Sequence, residues 1–151
     1  PHHMIADFPM DWTEGAKHFF LIRDPARVIA SYVKGRQSFT LNDLGYRPQL
    51  KLWERLGRPP VIDSIDILKD PESKLRKLCT AIDLPWDAAM LSWKPGPRAT
   101  DGAWAPYWYH SVKNSTSFTP PPSADSIVPK DYADMLAACE ADYAALKAAV
   151  I

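Results

Sequence analysis

Apolar residues fall along this chain in patterns that predict its elements. Residues 17–23, Lys-His-Phe-Phe-Leu-Ile-Arg, are a short continuous apolar run. A run of that length without polar alternation predicts a strand buried on both faces, as in a parallel sheet. Asp24-Pro25 follows, and Val28, Ile29, Tyr32 and Val33 then recur at helical spacing up to Gly35. Aspartate is a preferred N-cap and proline suits the first helical position. The pattern therefore predicts a strand, a tight turn and a helix.

Further along, Leu50, Trp53 and Leu56 predict a helix stopped by Gly57 and a proline pair. "PVIDSIDIL" alternates and is rich in β-branched residues, which predicts a second strand at about 61–66. "DPESKLRKLCTAIDLP" repeats the Asp-Pro helix start, with Leu75, Leu78, Cys79 and Ile82 as its buried stripe and Pro85 as its stop. "PWDAAMLSW" predicts a short helix that packs Met90, Leu91 and Trp93. Residues 94–128 hold six prolines and several Ser and Thr, which predicts an irregular loop. From Pro129, the positions Tyr132, Met135, Leu136, Cys139, Tyr143, Leu146 and Val150 trace one face of a final amphipathic helix.

Strand, helix, strand, helix predicts an α/β fold with a parallel sheet flanked by helices. The expected layout is one partial domain over 1–151: an α/β portion at 1–93, a loop at 94–128 and a C-terminal helix at 129–151. Two strands are too few for a sheet covered on both faces, so further strands are expected outside this sequence. The opening "PHHMIADFPM" has no methionine at position 1, which suggests the C-terminal part of a longer protein.

Composition narrows this picture. The 151 residues are 46% hydrophobic and 24% charged, with equal numbers of basic and acidic side chains. That balance argues against a broad electrostatic grip on nucleic acid or membrane, but leaves room for one local anion pocket. No run reaches the ~18 apolar residues of a membrane span, and no signal peptide is expected. Cys79 and Cys139 sit in helical apolar patterns and read as reduced core thiols of a cytoplasmic protein. No metal-ligand spacing occurs.

The chemistry concentrates in "FFLIRDPARVIASY". In open parallel sheets, ligands bind beyond the carboxyl ends of the strands. Arg23 stands at such an end, where the next helix offers free N–H groups and partial positive charge. Ser31 follows eight residues later, about 9 Å along the helix from Pro25. A tetrahedral anion could take a forked pair from Arg23 and one bond from Ser31. The same spacing also fits a plain strand exit with a solvent-facing serine. Asp24 is read as a cap.

The segment resembles the 3′-phosphate-binding segment of the sulfotransferases that use 3′-phosphoadenosine-5′-phosphosulfate (PAPS). In that family an arginine ends a strand in an Arg-Asp/Asn-Pro turn, and a serine eight residues later joins it on the nucleotide's 3′-phosphate. Arg23 and Ser31 match both types and spacing. "DILKDPESKLRKLCTAIDLPW", "MLSWKPGPR" and "WAPYWYHSVKNSTSF" resemble later stretches of bacterial members.

The resemblance implies a P-loop-NTPase-like sheet, a C-terminal lid and metal-free transfer of a sulfuryl group from PAPS to a hydroxyl or amine of a small-molecule acceptor. It places a histidine base about twenty residues before the arginine. His2 and His3, 21 and 20 residues before Arg23, occupy that place. It makes Lys113, Ser115 and Thr116 candidates for phosphate contacts from the lid, although the Arg-Lys-Gly run of better-known members is absent. Trp104, Tyr107 and Trp108 stack on adenine, line the acceptor pocket or, as the favoured reading, simply pack.

The family also uses a Gly-rich loop with a lysine around the 5′-phosphosulfate. The six glycines here form no such loop, so the chain alone is expected to bind nucleotide without turning it over. The alternatives are a kinase-like phosphotransferase, or a noncatalytic α/β module that oligomerises through an open sheet edge.

Overall fold

The computed structural model describes residues 9–103, 105, 109–121 and 126–151. Two short parallel strands form its centre, β1 (Phe20–Ile22) and β2 (Val61–Asp63), with Phe20 opposite Val61 and Ile22 opposite Asp63. Between them run α1 (Pro25–Gly35), α2 (Leu41–Leu44) and α3 (Tyr46–Arg55). After β2 come α4 (Ser64–Lys69), α5 (Pro71–Ala81), a short α6 (His110–Lys113) and the long C-terminal α7 (Ala133–Lys147). The architecture is mixed α/β with a small parallel sheet, as the periodicity predicts.

Local capping explains several boundaries. The Asp24 carboxylate accepts from the Arg27 amide at 3.0 Å, and Pro25 opens α1. Asp70 repeats the device on Ser73 at 3.3 Å, and Pro71 opens α5. A third cap shortens the second strand. The expected strand over 61–66 stops at Asp63, whose carboxylate accepts from the Ile65 amide at 3.0 Å and starts α4. Alternation in "DSIDIL" was compatible with both states, and the cap decides for helix. The chain also turns through α2, where the Asp43 carboxylate accepts from the Thr40 amide and hydroxyl at 2.7 and 2.8 Å. Gly45, at φ 77°, supplies the left-handed residue that separates α2 from α3.

Two apolar clusters carry the packing. One gathers Phe20, Ile22, Trp53, Val61 and Leu146. The other gathers Ile29, Leu44, Tyr46 and Cys139. Each fully buried aliphatic side chain here contributes about 1.5–3 kcal/mol. Both clusters need α7, so the final helix is part of the core rather than an appendage. Cys79 and Cys139 are buried free thiols, and burial, with the nearby Asp142 charge, pushes the Cys139 thiol up to about 11.

Two expectations need correction. β2 is buried throughout, but β1 is buried on one face only. Phe19 and Leu21 stay 45% and 51% exposed, beside an apolar groove of about 430 Å³ that also includes Leu52 and Leu56. Met90 lies in a 3-10 turn rather than an α-helix and stays 39% exposed, with its sulfur 3.9 Å from the Cys79 thiol.

The two-stranded sheet manages its edges with other groups. Phe20 donates its amide toward β2, to the Pro60 carbonyl at 2.9 Å. Successive residues of a strand aim their backbone groups to opposite sides, so Leu21 and Arg23 face outward. Their carbonyls are taken by side chains of α3: Gln49 Nε2 donates to Leu21 at 3.0 Å and Tyr46 Oη to Arg23 at 2.7 Å. Tyr46 and Gln49 are three apart and so neighbours on one helix face. On the far side, the Ile151 amide donates to Val61 at 3.1 Å, beside a parallel bridge between Val61 and Val150. The outward carbonyls of Leu21, Arg23 and Val61 are thus satisfied without a third full strand.

Candidate functional site

Strand and helix meet at the carboxyl end of β1. Ile22 is buried at 1% and holds the strand end in the core. The next residue, Arg23, is exposed, and its side chain has no hydrogen-bond partner among the described residues. Its backbone is fixed by Tyr46. The α1 N-terminus opens directly after it, with Asp24 using its carboxylate on the Arg27 amide. Ser31 lies two turns into α1 and is exposed. The opposite face of the helix is anchored: Ile29 is fully buried, and Tyr32 Oη donates to the Asp43 carbonyl at 3.1 Å. Arg23 and Ser31 are therefore exposed polar residues, one just before and one within a well-seated helix. A guanidinium, a hydroxyl and a helix N-terminus are each groups that suit an anion.

The end of β2 is built differently. Asp63 is fully buried and accepts from Tyr143 Oη at 2.6 Å and Lys147 Nζ at 2.7 Å, besides the Ile65 amide. Lys147 also reaches Asp66 at 3.3 Å. Burial alone would raise the Asp63 carboxyl; the bonds from Lys147, Tyr143 and Ile65 outweigh it and hold the group below the usual carboxylate range. Burial likewise disfavours charged Lys147, but Asp63 and Asp66 raise it above the ordinary amine value. Burial and the Asp63 carboxylate both push the Tyr143 phenol upward. The group is an ion-pair cluster that ties α7 to the sheet, with the Asp63 carboxylate accepting from three donors.

The remaining candidates from the sequence divide as follows. Lys113, Ser115 and Thr116 lie on the short segment around α6, which is tied to residues 92–96. The Gly96 amide donates to the Lys113 carbonyl at 2.7 Å and the Trp93 amide to the Thr116 carbonyl at 2.9 Å. Ser115 Oγ accepts from the Trp93 indole at 3.0 Å and donates its proton to the Val112 carbonyl at 2.8 Å. Its single proton therefore serves the turn. Trp93 also packs edge-on against Phe118 at 5.4 Å. His2, His3, Trp104, Tyr107 and Trp108 lie outside the described residues. Among the described residues, no group of three or more His, Cys, Asp or Glu side chains could hold a metal, and no helix is long and apolar enough to cross a membrane.

Sequence reasoning did not single out Tyr46, Gln49, Asp63 or Lys147. Only Asp63 left a local signal, an Asp-Ser pair at the end of an apolar run that reads as a helix start.

Comparison with known proteins adds to this geometry. A family model described as a sulfotransferase domain matches residues 1–150. Two curated proteins of Arabidopsis thaliana are similar. Branched-chain-amino-acid aminotransferase-like protein 2 is 34% identical over 139 residues, covering 89% of this chain and 25% of that protein. Branched-chain-amino-acid aminotransferase-like protein 1 is 38% identical over 132 residues, covering 85% and 24%. The chain thus spans about a quarter of the length of these relatives. Among solved structures, the Sulfotransferase Domain from the Curacin Biosynthetic Pathway superposes over 78% of this chain and 45% of its own, at 21% identity and a TM-score of 0.41.

Proposed function

The chain belongs to the sulfotransferase-domain family, and from that premise we propose that it serves PAPS-dependent transfer of a sulfuryl group to a hydroxyl or amine of a small acceptor. In this reading Arg23 and Ser31 take the 3′-phosphate of the nucleotide. The observation that supports it most is the state of Arg23. Its guanidinium is exposed and has no hydrogen-bond partner among the described residues, while its backbone is pinned at the strand end before a helix N-terminus. A forked guanidinium, a helix N-terminus and a hydroxyl complement a dianionic phosphate.

Sulfuryl transfer resembles phosphoryl transfer in its demands: in-line positioning and stabilisation of charge on the transferred group and leaving phosphate. The residues of this chain supply binding and orientation of the nucleotide. We assign the acceptor's general base to His2 or His3 on position alone. Lys113 and Thr116 are the lid groups with side chains suited to a phosphate; Ser115 would first have to release Val112. The family's 5′-phosphosulfate loop is not found among these 151 residues, so the isolated chain binds the nucleotide without turnover. Its two buried free thiols fit a reducing, cytoplasmic setting.

Titration calorimetry with 3′-phosphoadenosine-5′-phosphate (PAP) and with adenosine 5′-phosphate (AMP) tests the reading. Expected is a clear preference for PAP that Arg23→Ala removes. Equal affinity for both, or an intact preference in that variant, refutes the assignment. Binding of neither nucleotide would favour the noncatalytic module.

A further inference from the structure

We infer that Tyr46 is a positioning residue for the anion site, acting on Arg23 through the backbone; the inference rests on the 3′-phosphate reading given above. Its basis is the odd status of the Arg23 carbonyl. By strand parity that carbonyl faces away from β2, so the ladder does not use it. The α1 ladder begins one residue later, where the Val28 amide donates to the Asp24 carbonyl at 3.1 Å. Residue 23 thus lies between two regular elements, and its carbonyl takes part in neither ladder. Tyr46 Oη, at 2.7 Å, bonds it instead. The torsions of residue 23 set the direction in which its side chain leaves the turn, and a guanidinium must be well oriented for a forked bond to phosphate.

Tyr46 is itself rigidly held. It is 5% exposed and sits in the cluster with Ile29, Leu44 and Cys139. Its ring meets that of Tyr143 edge-on, with centroids 6.4 Å apart and planes at 87°. Burial, reinforced by the Cys139, Asp24 and Tyr143 groups, pushes its phenol far above the usual range, so the hydroxyl remains a donor at any working pH. Gln49, one turn on, holds Leu21 in the same manner. Of these two side chains it is Tyr46 that bonds the residue carrying the guanidinium.

The test compares two single-atom deletions at touching rings, Tyr46→Phe and Tyr143→Phe, using the whole chain. Each removes a hydrogen-bonded hydroxyl, but of the two only that of Tyr46 bonds Arg23. In Tyr46→Phe the affinity for PAP is expected to fall roughly three- to ten-fold, with AMP binding unchanged, so the preference between them narrows by the same factor. Tyr143→Phe lowers the melting temperature and leaves that preference alone. In the unliganded chain the NMR carbonyl-carbon resonance of Arg23 should move in Tyr46→Phe and stay in Tyr143→Phe. A preference unaltered in Tyr46→Phe, or narrowed equally in both variants, overturns the inference. Loss of any preference in the wild-type chain strikes the 3′-phosphate reading instead, and is recognised because no variant is involved. Should Tyr46→Phe not fold, the wild type still decides. Linkage is reciprocal, so PAP and not AMP should slow exchange of the Tyr46 hydroxyl proton; equal exchange with both overturns it.

Discussion

The carboxyl ends of β1 and β2 lie side by side and share one local grammar: a strand, then an aspartate whose carboxylate caps the helix that follows. Their surroundings are opposite. At β1 the cap is partly exposed, and the charged neighbour, Arg23, faces solvent with its side chain uncommitted among the described residues. At β2 the cap is itself buried, and α7 brings Tyr143 and Lys147 to neutralise it. The same motif therefore leaves a charged group open to solvent in one place and builds an internal lock in the other. What separates them is whether a distant element arrives to complete the charge.

Substitutions can break or sharpen that contrast. The largest effect is expected from Asp63→Ala, which strands Lys147 and the Tyr143 hydroxyl. Breaking a buried pair costs about 3 kcal/mol, at the lower end because Lys147 reaches solvent. For a chain of this size that is a melting-temperature drop of about 10 °C, read by calorimetry or circular dichroism. An unchanged melting temperature would dissolve the distinction between the two strand ends.

Arg23→Ala is expected to do the reverse. It should leave stability within about 0.5 kcal/mol and weaken PAP by about 2 kcal/mol, roughly thirty-fold. A destabilised variant would place Arg23 in the architecture instead. Ser31→Ala should act in the same direction but cost only about 1 kcal/mol in binding, since one neutral donor is lost.

The pH dependence of stability gives the smallest and most diagnostic signal. Asp63 titrates below its unfolded value near 3.9, so its contribution is present above that pH and fades as pH falls through the folded value. Lys147 titrates above its ordinary value, so its contribution is full below about 10.4 and fades as pH rises through the folded value. Urea midpoints should accordingly lie on a plateau between those limits. Asp63→Asn should flatten the acid limb, and an acid limb of unchanged slope in that variant would count against the lock.

What the sequence reveals and what it hides differ by range. The starts of α1 and α5 were legible because an Asp-Pro cap acts across three residues. The exposure of Arg23 and Ser31 follows from the same short range, since one turn and one helix place them. Beyond that range the pattern misled or fell silent. Alternation through Ser64 and Ile65 suggested strand where the Asp63 cap makes helix. Phe19 and Leu21 read as core, but nothing among the described residues covers them fully. The bonds from Tyr46 to Arg23 and from Lys147 to Asp63 span 23 and 84 positions. No spacing rule connects such pairs; only the packing of α3 and α7 on the sheet does.

The edge of β1 carries a consequence for mutational tolerance. A neighbouring strand bonds through main-chain atoms and accepts almost any residue, so its hold on the sheet survives sequence drift. Here the same task falls to one phenol and one carboxamide on a helix. Two codons thus stand in for a stretch of backbone, and changes that an ordinary sheet would absorb become visible at Tyr46 and Gln49. A saturation scan of α3 should show two sharply intolerant positions one turn apart, set among exposed sites such as Lys51 and Glu54 that accept most substitutions.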